Sequence, residues 1–135
     1  LAARGASLAR VLVRGGRLTG LALAEARVRD ATIRDCRADL ATFAAATLER
    51  TAFDGCLLAQ ADFRDARLDS VVFRDCDLTG ADFTGARMRH VELRGCRLDG
   101  VAGMAALRGA AMPFDDVVAS APAFADALGI RILDR

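Results

Sequence analysis

An apolar residue recurs at every fifth position through most of this chain. From Leu8 the steps run Val13, Leu18, Leu23, Val28 and Ile33, and continue through Ala38, Phe43 and Phe63 to Leu93 and Leu98. All nineteen positions of that frame are apolar, and only Ala38 is small. Two residues before each lies a second series, mostly small, such as Ala26, Ala31, Cys36, Ala41 and Ala46. The other three positions of each five are rich in Arg, Asp, Gly and Thr.

A period of five fits neither regular element. On an α-helix five residues advance by ~500°, about 140° out of phase, so the apolar positions would wind around the cylinder. On a continuous strand five is odd, and successive apolar residues would alternate faces. The remaining solution points the two apolar positions inward, as on a short strand, while the next three residues turn a corner. Each pentapeptide is then one side of a coil. The cysteines give the number of sides independently. Cys36, Cys56, Cys76 and Cys96 are spaced by twenty, which makes four pentapeptides per turn and a square coil.

The unit resembles that of the pentapeptide-repeat family, A-(D/N)-L-X-X. The best matches are Ala61-Asp62-Phe63-Arg64-Asp65 and Ala81-Asp82-Phe83-Thr84-Gly85. The resemblance covers about residues 6–100, with departures mostly at the second position, where Arg and Thr often replace Asp or Asn. It implies an all-β solenoid: a right-handed quadrilateral parallel β-helix, with the central and small residues filling the axis. Residues twenty apart then stack ~4.8 Å apart. One wall carries Leu23, Phe43, Phe63 and Phe83, and another Val13, Ile33, Phe53, Phe73 and Leu93.

The frame breaks at Gly103 and restarts, shifted, at Leu107 and Met112. From Phe114 the spacing turns helical, with Val117, Val118, Ala121, Phe124, Ala125 and Leu128 in phase. Pro122 falls in the first turn of a second helix, and Gly129 is a natural helix end. A β-helix over 1–112 and a helical cap over 113–135 are therefore expected. Solenoid ends expose apolar rungs and strand edges that an amphipathic cap would cover.

Composition narrows the function classes. The net charge of +1 hides a distribution: +5 over residues 1–29, −5 over 30–85, +2 over 86–100 and −1 over 101–135. No field of one sign exists to attract nucleic acid or to imitate it. Lysine is absent, which excludes a Walker-type phosphate loop and Schiff-base chemistry, and no apolar run approaches the ~20 residues of a membrane span. All-Arg basic usage fits a bacterial high-GC genome. The chain starts at Leu1 and reads as a mature form or a fragment.

Chemistry-bearing constellations read mostly as structure. Four stacked cysteines make a line ~14 Å long, not a tetrahedron, so they read as buried, reduced filler, consistent with a cytoplasmic home. Asp62 and Asp82 read as turn-stabilising residues, and His90 as a solvated corner with no serine in frame for a triad. No catalytic residue, metal site or cofactor is expected.

The most suggestive surface feature is an arginine edge. Arg14, Arg34, Arg74 and Arg94 share one column, and Arg17, Arg37 and Arg97 the column across the corner. Such a ridge suits bidentate contacts to an anionic partner, although Asp35, Asp54, Asp75 and Asp77 are interleaved there. Leu12, Ala52 and Val72 form a weakly apolar strip alongside. The expected function is a non-catalytic interaction or scaffold rod. Its partner is another protein or a second copy, met through a solenoid end or the cap. The alternative comes from the resemblance: some family members protect DNA gyrase by imitating duplex DNA. That mechanism needs a strongly acidic rod.

Overall fold

The computed structural model describes residues 4–134 and is a parallel β-helix of about twenty residues per turn, ending in a short helical region. Its strands are β1 (Ser7–Ala9), β2 (Leu12–Arg14), β3 (Arg27–Arg34), β4 (Thr47–Asp54), β5 (Arg67–Arg74), β6 (Arg87–Arg89) and β7 (Glu92–Arg94). All pairings are parallel with a twenty-residue offset, for example Val28 to Leu48 to Leu68 and Ile33 to Phe53 to Phe73. β3, β4 and β5 each run through one corner and so supply two walls. The first wall is centred on Val28, Leu48 and Leu68, and the second on Ile33, Phe53 and Phe73.

The third and fourth walls hold single bridges in the same register, such as Arg37 to Leu57 to Asp77 and Thr42 to Asp62 to Asp82. They are closed by tight turns in which the Ala41 N–H donates to the Ala38 carbonyl (3.1 Å) and the Ala46 N–H to that of Phe43 (3.0 Å). Positive φ at Leu40 and Ala45, the third residue of each turn, makes these type II turns.

The interior is a set of stacked columns. Phe43, Phe63 and Phe83 stack with centroids 5.0 and 4.9 Å apart and planes within 8° of parallel. Phe53 stacks on Phe73 at 5.0 Å, edge-on to the first column. Aromatic pairs prefer both geometries, and all five rings are fully buried. Cys36, Cys56 and Cys76 are buried free thiols on the third wall, and Cys96 is half-buried. The Cys56 thiol donates to the Ile33 carbonyl at 3.1 Å and that of Cys76 to Phe53 at 3.3 Å. The Cys56 and Cys96 thiols beside it, with burial, push the Cys76 thiol up.

Every fifth residue from Gly5 to Gly100 lies in the left-handed region, with φ between 46° and 74°. Only eight of these twenty corners are glycine; the rest include Asp30, Leu40, Ala45 and Arg50. An L-residue there is strained by ~1–2 kcal/mol relative to its right-handed form. Leu40 gains little in return, because its side chain is exposed. Leu40→Gly is therefore expected to raise stability by about 1 kcal/mol, read as a higher urea midpoint. At some corner glycines the carboxylate of the coil below occupies the place of a side chain and would have to swing aside for one. A Cβ on Gly85 would meet the Asp65 carboxylate 2.2 Å away, and one on Gly95 would meet that of Asp75 at 2.3 Å.

The frame ends at Gly103, where φ is 72° and a Cβ would lie 2.4 Å from the Thr84 nitrogen. A 3-10 helix, Met104–Leu107, follows and buries Met104 and Leu107 against the last coil. The chain then makes one more rung, Ala111 bridging Glu92. Two helices complete it, α1 (Phe114–Ala119) and α2 (Ala121–Ala127), with Pro122 in the first turn of α2. Gly129 ends α2 in a Schellman motif: its N–H reaches Asp126 and that of Ile130 reaches Ala125.

The cap differs from the sequence expectation in what covers the rod. The plug is the 3-10 helix, with Met112 and Phe124 packed partly against the core. α1 is anchored by its Asp116 carboxylate, which accepts the Gly95 N–H at 2.7 Å, and a helix of six residues has one side to spare for that contact. Its apolar side faces out, leaving Phe114 79% exposed and Val118 57% exposed.

Candidate functional site: the outer walls of the rod

Over the central coils the axis is filled by side chains, so a ligand there can meet only the outside of the coil. The N-terminal coils keep an apolar cavity of about 250 Å³ lined by residues such as Leu8, Val13, Leu18 and Phe43. On each wall the residues flanking the inward centre point outward, so the surface is a grid of columns ~4.8 Å per rung.

The interleaved carboxylates largely neutralise the edge singled out from the sequence. Arg14, Arg34, Arg74 and Arg94 do share a column on the second wall, but Asp54 fills its middle rung. The Asp54 carboxylate sits 3.8 Å from Arg34 and 4.0 Å from Arg74, and Arg94 pairs with Glu92 at 3.4 Å. Arg17, Arg37 and Arg97 share a column on the third wall, interrupted by Leu57 and Asp77, and Arg97 pairs with Asp99 at 3.6 Å. Leu12 is 65% exposed beside Arg14, while Ala52 and Val72 are half-buried. The columns meet at one corner, but they present alternating charge rather than a continuous cationic ridge.

The first wall carries what the sequence reading passed over. One of its columns runs Ser7, Arg27, Thr47, Arg67, Arg87 and contains no acid. Arg67 lies directly opposite Arg87, and among the described residues none of these three arginines has a carboxylate within ion-pair distance. The companion column compensates itself in register, with Arg29 opposite Glu49 and Asp69 opposite Arg89. A shallow groove of about 450 Å³ runs over this wall between Thr47, Arg67, Asp69, Arg87 and Arg89. The signal was available in the twenty-residue bookkeeping, had it been applied to Arg27, Arg67 and Arg87.

The repeat aspartates act as turn acceptors. Asp62, Asp77 and Asp82 each accept the N–H two residues on, from Arg64, Thr79 and Thr84, at 2.9 to 3.0 Å. The Arg64 guanidinium holds Asp62 below the usual carboxylate value of 3.8, and the Thr79 hydroxyl does the same for Asp77. Asp30 is lowered in the same sense by Arg50. A depressed folded-state value adds stability above the unfolded value and loses it as pH falls through the folded one. The thermal midpoint should therefore be flat down to about pH 4 and fall below it. Asp62→Asn, which keeps the turn acceptor but not the charge, should shallow that fall. A midpoint independent of pH down to about 2 would contradict it.

His90 is an exposed corner 3.8 Å from Asp69, and no group of residues that could hold a metal occurs among the described residues. Among the described residues no helix is long and apolar enough to cross a membrane.

A family model described as a pentapeptide repeat region matches residues 41–102. Among solved structures, the chain is similar to HetL, a pentapeptide repeat protein involved in heterocyst differentiation regulation from the cyanobacterium Nostoc. The two are 25% identical with a TM-score of 0.61, over 82% of this chain and 50% of that one. This chain thus spans about half the length of that relative. A pentapeptide repeat protein from the Arabidopsis thaliana thylakoid lumen matches with a TM-score of 0.57 at 19% identity, over 84% of this chain and 76% of that one. QnrB1, a plasmid-mediated fluoroquinolone resistance protein, aligns over 94% of this chain and 99% of that one. Its 17% identity and TM-score of 0.36 are too low to bear on function. No curated protein matches the chain significantly.

Proposed function

We propose, from the premise that this chain is a pentapeptide-repeat protein, that it works as a non-catalytic protein-interaction rod. The observation that carries this reading is the filled axis. Columns of Phe, Leu and small residues occupy the bore over the central coils, where chemistry would need a cleft with convergent polar groups. Recognition is left to flat, rigid walls and to the two ends.

The cap supports a second copy as one partner. Phe114, Val118 and Leu128 are each more than half exposed at the end of a rod whose remaining apolar residues are mostly buried. Light scattering on the chain should give a dimer mass that returns to monomer in Phe114→Ser with Leu128→Ser. A monomer that also retains no protein when used as immobilised bait would contradict the interaction reading. Imitation of duplex DNA against gyrase is the competing reading, and mixed walls with an acid-free arginine column on one of them do not favour it. A supercoiling assay separates the two: the interaction reading expects no effect of added protein on gyrase.

A further inference from the structure

We propose that the acid-free column of the first wall is a docking surface for an acidic segment of another protein, with a partner carboxylate bridging Arg67 and Arg87. The inference rests on the interaction reading above and specifies its site and partner class.

The argument starts from a cost. Like charges directly opposite on neighbouring strands are destabilising, and Arg67 and Arg87 are such a pair, in register on β5 and β6. Elsewhere such stacks are relieved only in part, since Arg17 also lies opposite Arg37 with no ion pair among the described residues. Asp54 is interposed between Arg34 and Arg74, and Asp30 answers Arg50. On the first wall no described side chain performs that task. Asp65, the neighbouring acid across the corner, leans instead over Gly85. All three arginines are exposed, and they stand on a sheet whose inward face packs against the core, with Val28 and Leu68 buried and Met88 partly so, which fixes their backbone positions. A carboxylate between Arg67 and Arg87 would accept from both guanidiniums and remove the repulsion, a charge-assisted arrangement of the strong kind. Arg27, two rungs further along and so ~10 Å away, offers a second anchor in line.

The surroundings select a protein rather than a nucleic acid. The wall carries no outward aromatic ring on which a base could stack. Beside the column, Glu49 and Asp69 lie on adjacent rungs between Arg29 and Arg89. A continuous phosphate backbone would be repelled there, whereas a protein surface can place a basic residue opposite them. Thr47 supplies a neutral hydrogen-bonding rung between Arg27 and Arg67.

The test uses the full chain with a fluorescein-labelled all-glutamate peptide as probe, read by anisotropy, with labelled duplex DNA measured in parallel. Binding of the peptide is expected, weakening with salt. Arg67→Gln with Arg87→Gln should reduce its affinity at least about tenfold, while Arg74→Gln with Arg94→Gln, whose guanidiniums are already paired, should change it less than about twofold. The first double variant should also melt higher than the parent, because the stacked repulsion is gone. No peptide binding, equal losses in the two double variants, tighter binding of DNA than of peptide, or a melting point that does not rise would each overturn the proposal. The interaction reading fails separately. A rod that dimerises through its cap yet binds no acidic peptide keeps that reading and loses this site.

Discussion

Truncating Phe63 to alanine is expected to lower stability by about 3–5 kcal/mol, enough to leave a marginal small domain largely unfolded at 37 °C. Phe63 is fully buried and is the middle ring of its column, stacked on Phe43 at 5.0 Å and on Phe83 at 4.9 Å. It also meets Phe53 and Phe73 edge-on. Removing it therefore breaks contacts in the coils above and below as well as its own. Each coil contacts chiefly its neighbours, so a central defect divides the rod into two short stacks. Phe83→Ala, with one stacked neighbour fewer among the rings, should cost less. Urea titration of both variants decides it: equal costs, or a Phe63→Ala cost under about 1 kcal/mol, would mean that the columns do not carry the stability.

The second large effect concerns the frame. Excising residues 41–60 removes one whole turn and leaves every column intact, with Phe63 above Leu23 and Cys76 above Cys36. That variant should still melt cooperatively, at a lower temperature because one set of coil interfaces is lost. Excising residues 41–62 removes only two residues more, yet it leaves a three-residue remnant to span one wall. At no more than ~3.6 Å per residue the remnant cannot reach the next corner without breaking the ladder above it. This variant should show no cooperative transition. Circular dichroism melts of the two proteins make the comparison, and equal melting would refute a five-residue frame.

How much of this was visible beforehand follows from what each feature depends on. The walls and their columns depend only on the pattern of large and small apolar residues, so Phe63 over Phe43 and Cys56 over Cys36 were legible. The twenty left-handed corners were not, because twelve of them are occupied by residues such as Leu40 and Arg50 that prefer other conformations. There the inward packing of two flanking residues overrides the local preference of one. The outward turn of α1 was illegible for a similar reason. It hangs on a single hydrogen bond from Gly95 to Asp116, residues whose proximity no spacing rule reveals. The arginine edge and the aspartates interleaved in it were legible as columns, whereas the pairing distances of Arg34 and Arg74 to Asp54, a matter of side-chain reach, were not. The column of Arg27, Arg67 and Arg87 was passed over, although it is defined by sequence alone once the walls are known.

The most direct test of a square coil compares nearness in space with nearness in sequence. In a background with the four cysteines replaced by alanine, which already fills the equivalent place at Ala41 and Ala61, two pairs are labelled with pyrene. Thr47→Cys with Arg67→Cys places the labels on adjacent rungs of one wall, twenty residues apart. Thr47→Cys with Leu57→Cys places them ten residues apart on opposite walls. Strong excimer emission from the first pair and monomer emission from the second is the expected result. Excimer emission from the ten-residue pair, with none from the twenty-residue pair, would contradict the coil.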